Sequence, residues 1–588
     1  MKFVSKNLLF LIALAATFAH SQTPQNITQI KHVIIVIQEN RTPTNLFHED
    51  APLIARGAHV QPPNDTGSCG PILQGANCTA ATDNPSIPLT GVELPTSPGG
   101  DHSHYPAWQC QFNNGAMDGA CHIRVSNPSN VPCYQNNLQY CNYTYALNDT
   151  GIMTPYFNIA EQYGFANWMF STHQGPSQPA HLFLFTGTSA PDAYQGDPGD
   201  FWKWWVAENG NGQGCLASNK DAFVLELPPA PPQFPTESHG YTPPGGMVGA
   251  GYPCWNPNTM TDLLDTAKLS WRYYDAQDGL GIWNAPVAIQ HICKPNGIPG
   301  TMCTSTEYKN NVRIGNPGLV LQDLGAVSGA ACDLQAVTWV IPDGTWSDHP
   351  GNHGMDAGPS WVAAIVNGVG GYTNFGAKFP NTCTDDVNGH TVPYWQDTVV
   401  LVVWDDWGGF YDDVLPWNCS SSGVCAGYPG QTQSADYVYG FRVPLLVVSA
   451  WIKPNSSGAT EGYISGTPAQ GGEVVPYIHD FGSILNFTEY VFGQSGHHLG
   501  DPGGIGGINY PHADWFAPDG PNAGCDPTHC PYSLSDFFVD FTNNPIPHPF
   551  RLIQGAKYDT NCFLDPTSAA CFAGIYPQDP DNDAEDEL

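Results

Sequence analysis

Cations are scarce in this chain. Lysine and arginine number 18 among 588 residues, against 53 aspartates and glutamates, giving a formal net charge of −35. Without a basic stripe to displace counterions from a phosphate backbone, nucleic acid is excluded as a partner. The same negative field slows approach to anionic membrane surfaces. Long apolar runs are missing too. Beyond the N-terminal segment no stretch approaches the roughly 18 unbroken apolar residues of a spanning helix. The mature chain is therefore expected to be soluble, with no stable membrane anchor. Paired Cys-x-x-Cys units at zinc spacing are absent, which argues against a cysteine-bound zinc. No internal repeat is present. Only 12% of residues are charged, while glycine, proline, asparagine and tryptophan abound; that points to long ordered loops on a stable core rather than to disorder.

What is present begins with a leader. Lys2 and Lys6 precede the apolar run Leu8–Phe18, and small residues lead up to Ser21 and Gln22. This reads as a secretory signal peptide over residues 1–21, too short to span a bilayer, and places the protein outside the cytoplasm, extracellular or periplasmic. The 18 cysteines fit an oxidising compartment. Several lie close in sequence: Cys69 and Cys78, Cys110 and Cys121, Cys133 and Cys141, Cys293 and Cys303, Cys419 and Cys425, Cys525 and Cys530, Cys562 and Cys571. Most are expected to pair, with at least one short-range bridge, while the connectivity stays open.

Apolar runs rich in β-branched residues predict buried strands at Lys31–Asn40, Ala336–Ile341, Thr398–Val403 and Val443–Ser449, and the aromatic-rich LSWRYY at Leu269–Tyr274 reads as a further strand. Helices are predicted at Thr154–Tyr163, Thr261–Ala267, Ser360–Asn367 and Ser483–Phe492. Strands alternating with helices imply an α/β fold, a three-layer α/β/α sandwich around a mostly parallel sheet with long disulfide-stapled loop insertions. The domain occupies residues 22–498. Residues 499–588 form a Gly/Pro/Asp-rich extension ending in the acidic tail PQDPDNDAEDEL.

The stretch LVVWDDWGGFYDDV, Leu401–Val414, carries the sharpest chemical signal. A core strand stops at two adjacent carboxylates that repel each other and lose hydration, and a divalent cation is the usual neutraliser. Gly408 and Gly409 then allow a sharp turn. A site at the C-terminal end of a strand is where open α/β sheets place ligands; the alternative is a strand followed by a solvated Asp-rich turn. The first strand likewise ends in Gln38, Glu39 and Asn40. With Asp101-His102, Ser177 and Asp348-His349, these positions supply hard oxygen ligands, imidazoles and a hydroxyl nucleophile. Mg, Ca or Mn suits such a set, and the imidazoles keep Zn open. Ser177 also reads as a helix cap, because Gly175-Pro176 turns the chain and Pro179 suits a first helical turn.

HVIIVIQENRTPTNLF at His32–Phe47 resembles the opening motif of the bacterial phosphoesterase family that contains non-haemolytic-type phospholipases C and a group of acid phosphatases. FSTHQGPSQPAHLFLFTG at Phe170–Gly187 is similar to its nucleophile motif. SDHP at Ser347–Pro350, WDDWGGFYDDV, and GFRVPLLVVSAWIKP at Gly440–Pro454 follow in the family's order. The resemblance implies the alkaline-phosphatase-like superfamily and a secreted, metal-dependent phosphoric ester hydrolase. Its substrate would be a small-molecule or lipid phosphate ester, in the manner of a phospholipase C or a broad acid phosphatase. By matching motif, Ser177 would be the nucleophile, and Glu39, Asn40, Asp405 and Asp406 the metal ligands. His102 and His349 would bind the phosphoryl group or protonate the leaving group, with His104 and His353 as further substrate-binding candidates. The chain departs from the family pattern at Trp407 and Asp413, where histidine is common, in RTPTNLF after Asn40, and at Phe481. These departures bear on the leaving-group acid and the substrate more than on the reaction type. Two rivals stand beside this reading. One is a catalytically silent binding or surface-interaction protein on the same fold. The other is sulfatase-like chemistry, disfavoured because Ser177-Gln-Pro-Ala-His lacks the arginine of the sulfatase motif.

Overall fold

The computed structural model describes residues 29–72, 81–94, 99–102, 105–123, 140–172, 174–175, 177–187, 256–276, 283–294, 302–350, 356–381, 383–417, 439–454, 461–466, 477–493, 533–539 and 545–572, with a few short pieces between them. The predicted leader lies outside the described residues, as do His104, His353 and the acidic tail.

Eight strands form one sheet: β1 (His32–Gln38), β2 (Gly164–Ala166), β3 (Trp271–Asp275), β4 (Val312–Ile314), β5 (Val337–Val340), β6 (Thr398–Trp404), β7 (Leu445–Ser449) and β8 (Tyr463–Ser465). Their spatial order is β4-β3-β5-β1-β6-β7-β2-β8. Only β7 runs against the rest, pairing antiparallel with β6 and β2. Every residue of β1 and β6 is buried. That explains why both read as unbroken apolar runs rather than as alternation: a parallel strand covered on both faces has no polar side.

The helices that matter here are α1 (Pro43–Phe47), α2 (Tyr105–Phe112), α3 (Thr154–Gln162), α4 (Ser177–Thr186), α5 (Met260–Ala267), α6 (Gly358–Val369) and α7 (Phe481–Phe492). α3 and α6 pack together, and α4 packs with α5 and α7. On one side Tyr156 of α3 meets Trp404 edge to face; on the other Phe185 of α4 meets Trp339. This gives the expected layers of helix, sheet and helix. Sequence boundaries shift where caps decide them. α7 begins at Phe481 rather than Ser483, since Asp480 forms a capping box with Ser483. β1 ends at Gln38 because Asn40 turns to φ 55°, a region asparagine tolerates.

One of the loop insertions carries a small sheet of its own: Thr66–Cys69 pairs antiparallel with Asn84–Pro88. Disulfides join Cys69 to Cys121 and Cys78 to Cys110, so the two sequence-adjacent couples exchange partners. Cys293–Cys303 and Cys562–Cys571 are the short-range bridges expected. Behind these loops Trp108, Phe112, Tyr143, Trp407, Tyr411 and Phe441 form a second small core. Within residues 533–572, Leu534, Phe537, Ile553, Phe563 and Phe572 join the main core. No helix among the described residues is long and apolar enough to cross a membrane.

Candidate active site

Register builds the site. β1 and β6 are parallel neighbours at the middle of the sheet, and Gln38 pairs with Trp404. The next residues, Glu39-Asn40 and Asp405-Asp406, therefore leave the sheet side by side at the same end. All four are fully buried. Two backbone amides, Asn40 N–H at 2.9 Å and Asp406 N–H at 2.8 Å, donate to Asp405 Oδ1. Asp406 Oδ1 accepts from Gly408 N–H at 2.7 Å. Burial opposes ionisation of Asp405. Glu39, His181, Ser177 and the Asn40 N–H outweigh it and hold the carboxyl below its usual range.

Ser177 is the first residue of α4 and is buried. Its Oγ donates to Glu39 Oε2 at 3.1 Å and lies 3.4 Å from the Asn40 side-chain amide and 3.5 Å from Asp406 Oδ2. Thus the five sequence-predicted residues Glu39, Asn40, Ser177, Asp405 and Asp406 converge. One turn along α4, on the same face, stands a residue the sequence reading left without a role. His181 Nε2 lies 2.9 Å from Glu39 Oε1 and 3.8 Å from Asp405 Oδ2. The available signal was its i+4 spacing from Ser177 within the helix.

These residues fit a divalent cation. Glu39, His181 and Asp405 each present a ligand atom within 4.8 Å of the others, and buried Asp405 Oδ2 has no hydrogen-bond partner. The Asn40 amide ties the site together: its Nδ2 donates to Glu39 Oε2 at 2.9 Å and to Asp405 Oδ1 at 3.1 Å, and its Oδ1 accepts from His102 Nε2.

The imidazoles arrive on loops. Gly408 (φ 61°) and Gly409 (φ 68°) pass directly beneath Gly100; a Cβ on Gly408 would meet Asn40 O at 2.2 Å, and one on Gly409 would meet Gly100 at 2.5 Å. Gly100 N–H donates to Gly408 O at 3.0 Å. His102 Nδ1 donates to Gly100 O at 2.7 Å, and its Nε2 touches the Asn40 amide. Trp407 stands edge-on behind this ring, its indole N–H held by Gln111 of α2 at 3.0 Å. His349 is held from below by Gln38, whose amide donates to Trp346 O and accepts from Asp348 N–H, both at 3.1 Å. Arg41 Nε donates to Asp348 O at 2.7 Å. His349 Nδ1 donates to Pro350 O at 2.8 Å, which fixes the orientation of the ring. The His102 and His349 rings lie 5.3 Å apart. The Trp283 ring stacks on His181 at 6.2 Å and lies 6.4 Å from His349. Asp413 faces His59 at 3.0 Å, and Asp412 takes a two-pronged bond from Arg442.

A family model described as the Phosphoesterase family matches residues 30–495. The non-hemolytic phospholipase C of Pseudomonas aeruginosa is 22% identical over 495 residues, covering 80% of this chain and 54% of the relative. The non-hemolytic phospholipase C of Burkholderia pseudomallei is 23% identical over 354 residues, covering 53% of this chain and 40% of the relative. The chain spans about half the length of the curated relatives it matches.

Proposed function

Because the chain belongs to the Phosphoesterase family, we propose that it is a secreted, metal-dependent hydrolase of phosphoric esters with Ser177 as its nucleophile. The observation that supports this most is the placement of Ser177 Oγ within 3.1–3.5 Å of carboxylate oxygens of Glu39 and Asp406 in a buried site. Glu39, Asp405 and His181, with Asn40 and Asp406 beside them, would hold the ion. Bound there, a divalent cation makes the serine hydroxyl more acidic and offsets charge on the phosphoryl oxygens.

Ser177 Oγ gives its proton to Glu39 Oε2, its hydrogen-bond acceptor, and attacks phosphorus. The P–O bond to the leaving group breaks as the Oγ–P bond forms, leaving phosphoserine. The departing alkoxide takes a proton from His102 or His349 acting as imidazolium, the two rings 5.3 Å apart. Water then attacks phosphorus and gives its proton to the same, now neutral, histidine as the Oγ–P bond breaks; Glu39 returns its proton to Oγ, and phosphate or a phosphomonoester leaves. α4 contributes its N-terminal N–H groups and dipole to the bound phosphoryl group.

The substrate is a phosphodiester of the phospholipase C kind or a broad range of phosphomonoesters. Purified protein assayed against p-nitrophenyl phosphate, phosphatidylcholine and phosphorylcholine at several pH values separates these. No turnover of any of them with added Mg, Ca, Mn or Zn would favour the catalytically silent binding protein instead.

A further inference from the structure

The other end of β1 carries a cluster that the chemistry above does not use. His32 opens the strand whose far end delivers Glu39. At about 3.3 Å per residue, the two ends lie roughly 20 Å apart. His32, Asp386 and His390 each present a ligand atom within 4.8 Å of the others. His32 is completely buried. Its Nδ1 lies 2.9 Å from Gln335 O, a group that only accepts, so Nδ1 carries the proton and Nε2 the lone pair. That buried Nε2 has no hydrogen-bond partner. The rings of His32 and His390 lie 4.6 Å apart, edge to face.

Local structure brings the other two groups together. Asp386-Val-Asn-Gly-His390 is a tight turn: Asp386 Oδ1 accepts from Asn388 N–H and His390 N–H, each at 2.8 Å, and Gly389 takes φ 84°. Asp386 N–H donates to His390 O at 2.8 Å. Asp386 Oδ2 and His390 Nδ1 end 3.3 Å apart. Tyr394 OH reaches Asp386 Oδ2 at 3.4 Å, and Cys332–Cys383 ties the base of the turn to the body of the protein. Nearby, Asp397 takes the Lys31 and His32 amides on its backbone oxygen and keeps a buried Oδ1 without a partner.

We infer that His32, Asp386 and His390 form a second metal site, for a zinc-class divalent transition ion, at the pole of the sheet opposite the candidate active site. Two imidazoles and one carboxylate are a set that zinc and cobalt accept. The Gln335 carbonyl on Nδ1 is the outer partner that fixes a ligating histidine's tautomer. The ion would pin the start of the central strand to the 383–397 segment, a structural role. The His390 side chain is 30% exposed, which provides an entry path and room for water as a further ligand.

Cobalt(II) is the probe, added to the full chain carrying E39Q and D405N so that the candidate active site loses two ligands. The expected result is uptake of a single equivalent with visible d–d absorption that zinc abolishes. H390A or D386N, added to that background, should remove the absorption. In the otherwise unaltered chain, H390A should lower bound zinc by one equivalent and leave esterase activity in place. Failure of the folded chain to take up cobalt, or a spectrum indifferent to H390A and D386N, would overturn the proposal. So would unchanged zinc content in H390A.

Discussion

Glu39, Asn40, Asp405 and Asp406 sit at the ends of the two most central strands, whereas His102 and His349 come in on loops. The acidic half inherits its geometry from the sheet: Gln38 opposite Trp404 sets all four side chains at once. The imidazole half depends on long-range ties, namely Gly100 against the Gly408-Gly409 turn, Gln38 and Arg41 against the 346–348 segment, and a small aromatic core closed by Cys69–Cys121 and Cys78–Cys110. The difference suggests a division of labour. The half that would bind an ion and hold the nucleophile is rigid, while the half that would handle the leaving group can be adjusted by changing loops. The departures from the family pattern at Trp407 and Asp413 also fall in that adjustable half, around His102 and His59.

The strongest way to break the comparison is at the rigid half. Ser177→Ala should lower esterase activity at least about a thousandfold with little change in stability, and acid-quenched wild type should carry phosphoserine at this position. More than about a tenth of wild-type activity in the variant would remove Ser177 as nucleophile. At the loop-borne half, His102→Ala and His349→Ala should each cost on the order of a hundredfold with alkyl esters. The loss should be much smaller with p-nitrophenyl phosphate, whose leaving group needs no proton. Equal losses on both substrates would mean that neither ring is the leaving-group acid. His181→Ala should weaken the activating metal roughly 10- to 100-fold, read as a rightward shift in metal titrations of activity; an unshifted titration would take His181 out of the ligand set.

Two smaller effects sharpen the contrast. Cys78→Ser with Cys110→Ser should cost on the order of 2–5 kcal/mol in stability. It should reduce turnover of alkyl esters several-fold and leave the metal titration where it was. A shift in metal affinity instead would show that the two halves are mechanically coupled. The last effect concerns Asp348. Burial, against the opposition of Tyr156 OH at 2.6 Å and Arg41, pushes its carboxyl up to about 6. The folded state then holds a proton that the unfolded state, titrating at about 4, releases. Stability from this group therefore falls as pH rises from about 4 to about 6 and is level above that. Denaturant melts of Asp348→Asn should lack this component, roughly 1–3 kcal/mol across the window; parallel curves for variant and wild type would exclude it.

The central strands were legible because burial on both faces writes itself as β1's VIIVI and β6's TVVLVV. β2, β4 and β8 were not. Each has three residues, too few to show a period, and belongs to the sheet only through its neighbours. The site divides in the same way. Carboxylates that end a core strand stand out as a break in an apolar run, and only the register of β1 on β6 separates a shared site from a solvated turn. His181 lies inside the apolar helix SQPAHLFLFT and reads as core; its direction towards Glu39 exists only once α4 is laid on the sheet. The exchanged partners of Cys69, Cys78, Cys110 and Cys121 were equally hidden, because nearness in sequence says nothing about how two loops are folded over each other.

The pairing of Gln38 with Trp404 also bears on how the protein reaches its native state. Side chains on a strand alternate faces, so a slip of β6 by one residue against β1 would turn Asp405 and Asp406 away from Glu39 and set Trp404 where an acid belongs. An ion that binds the four aligned groups binds only the correctly registered chain, and by mass action draws the population towards it. Metal would then act as a proofreader of strand alignment during maturation, rejecting misaligned chains before they could compete for substrate.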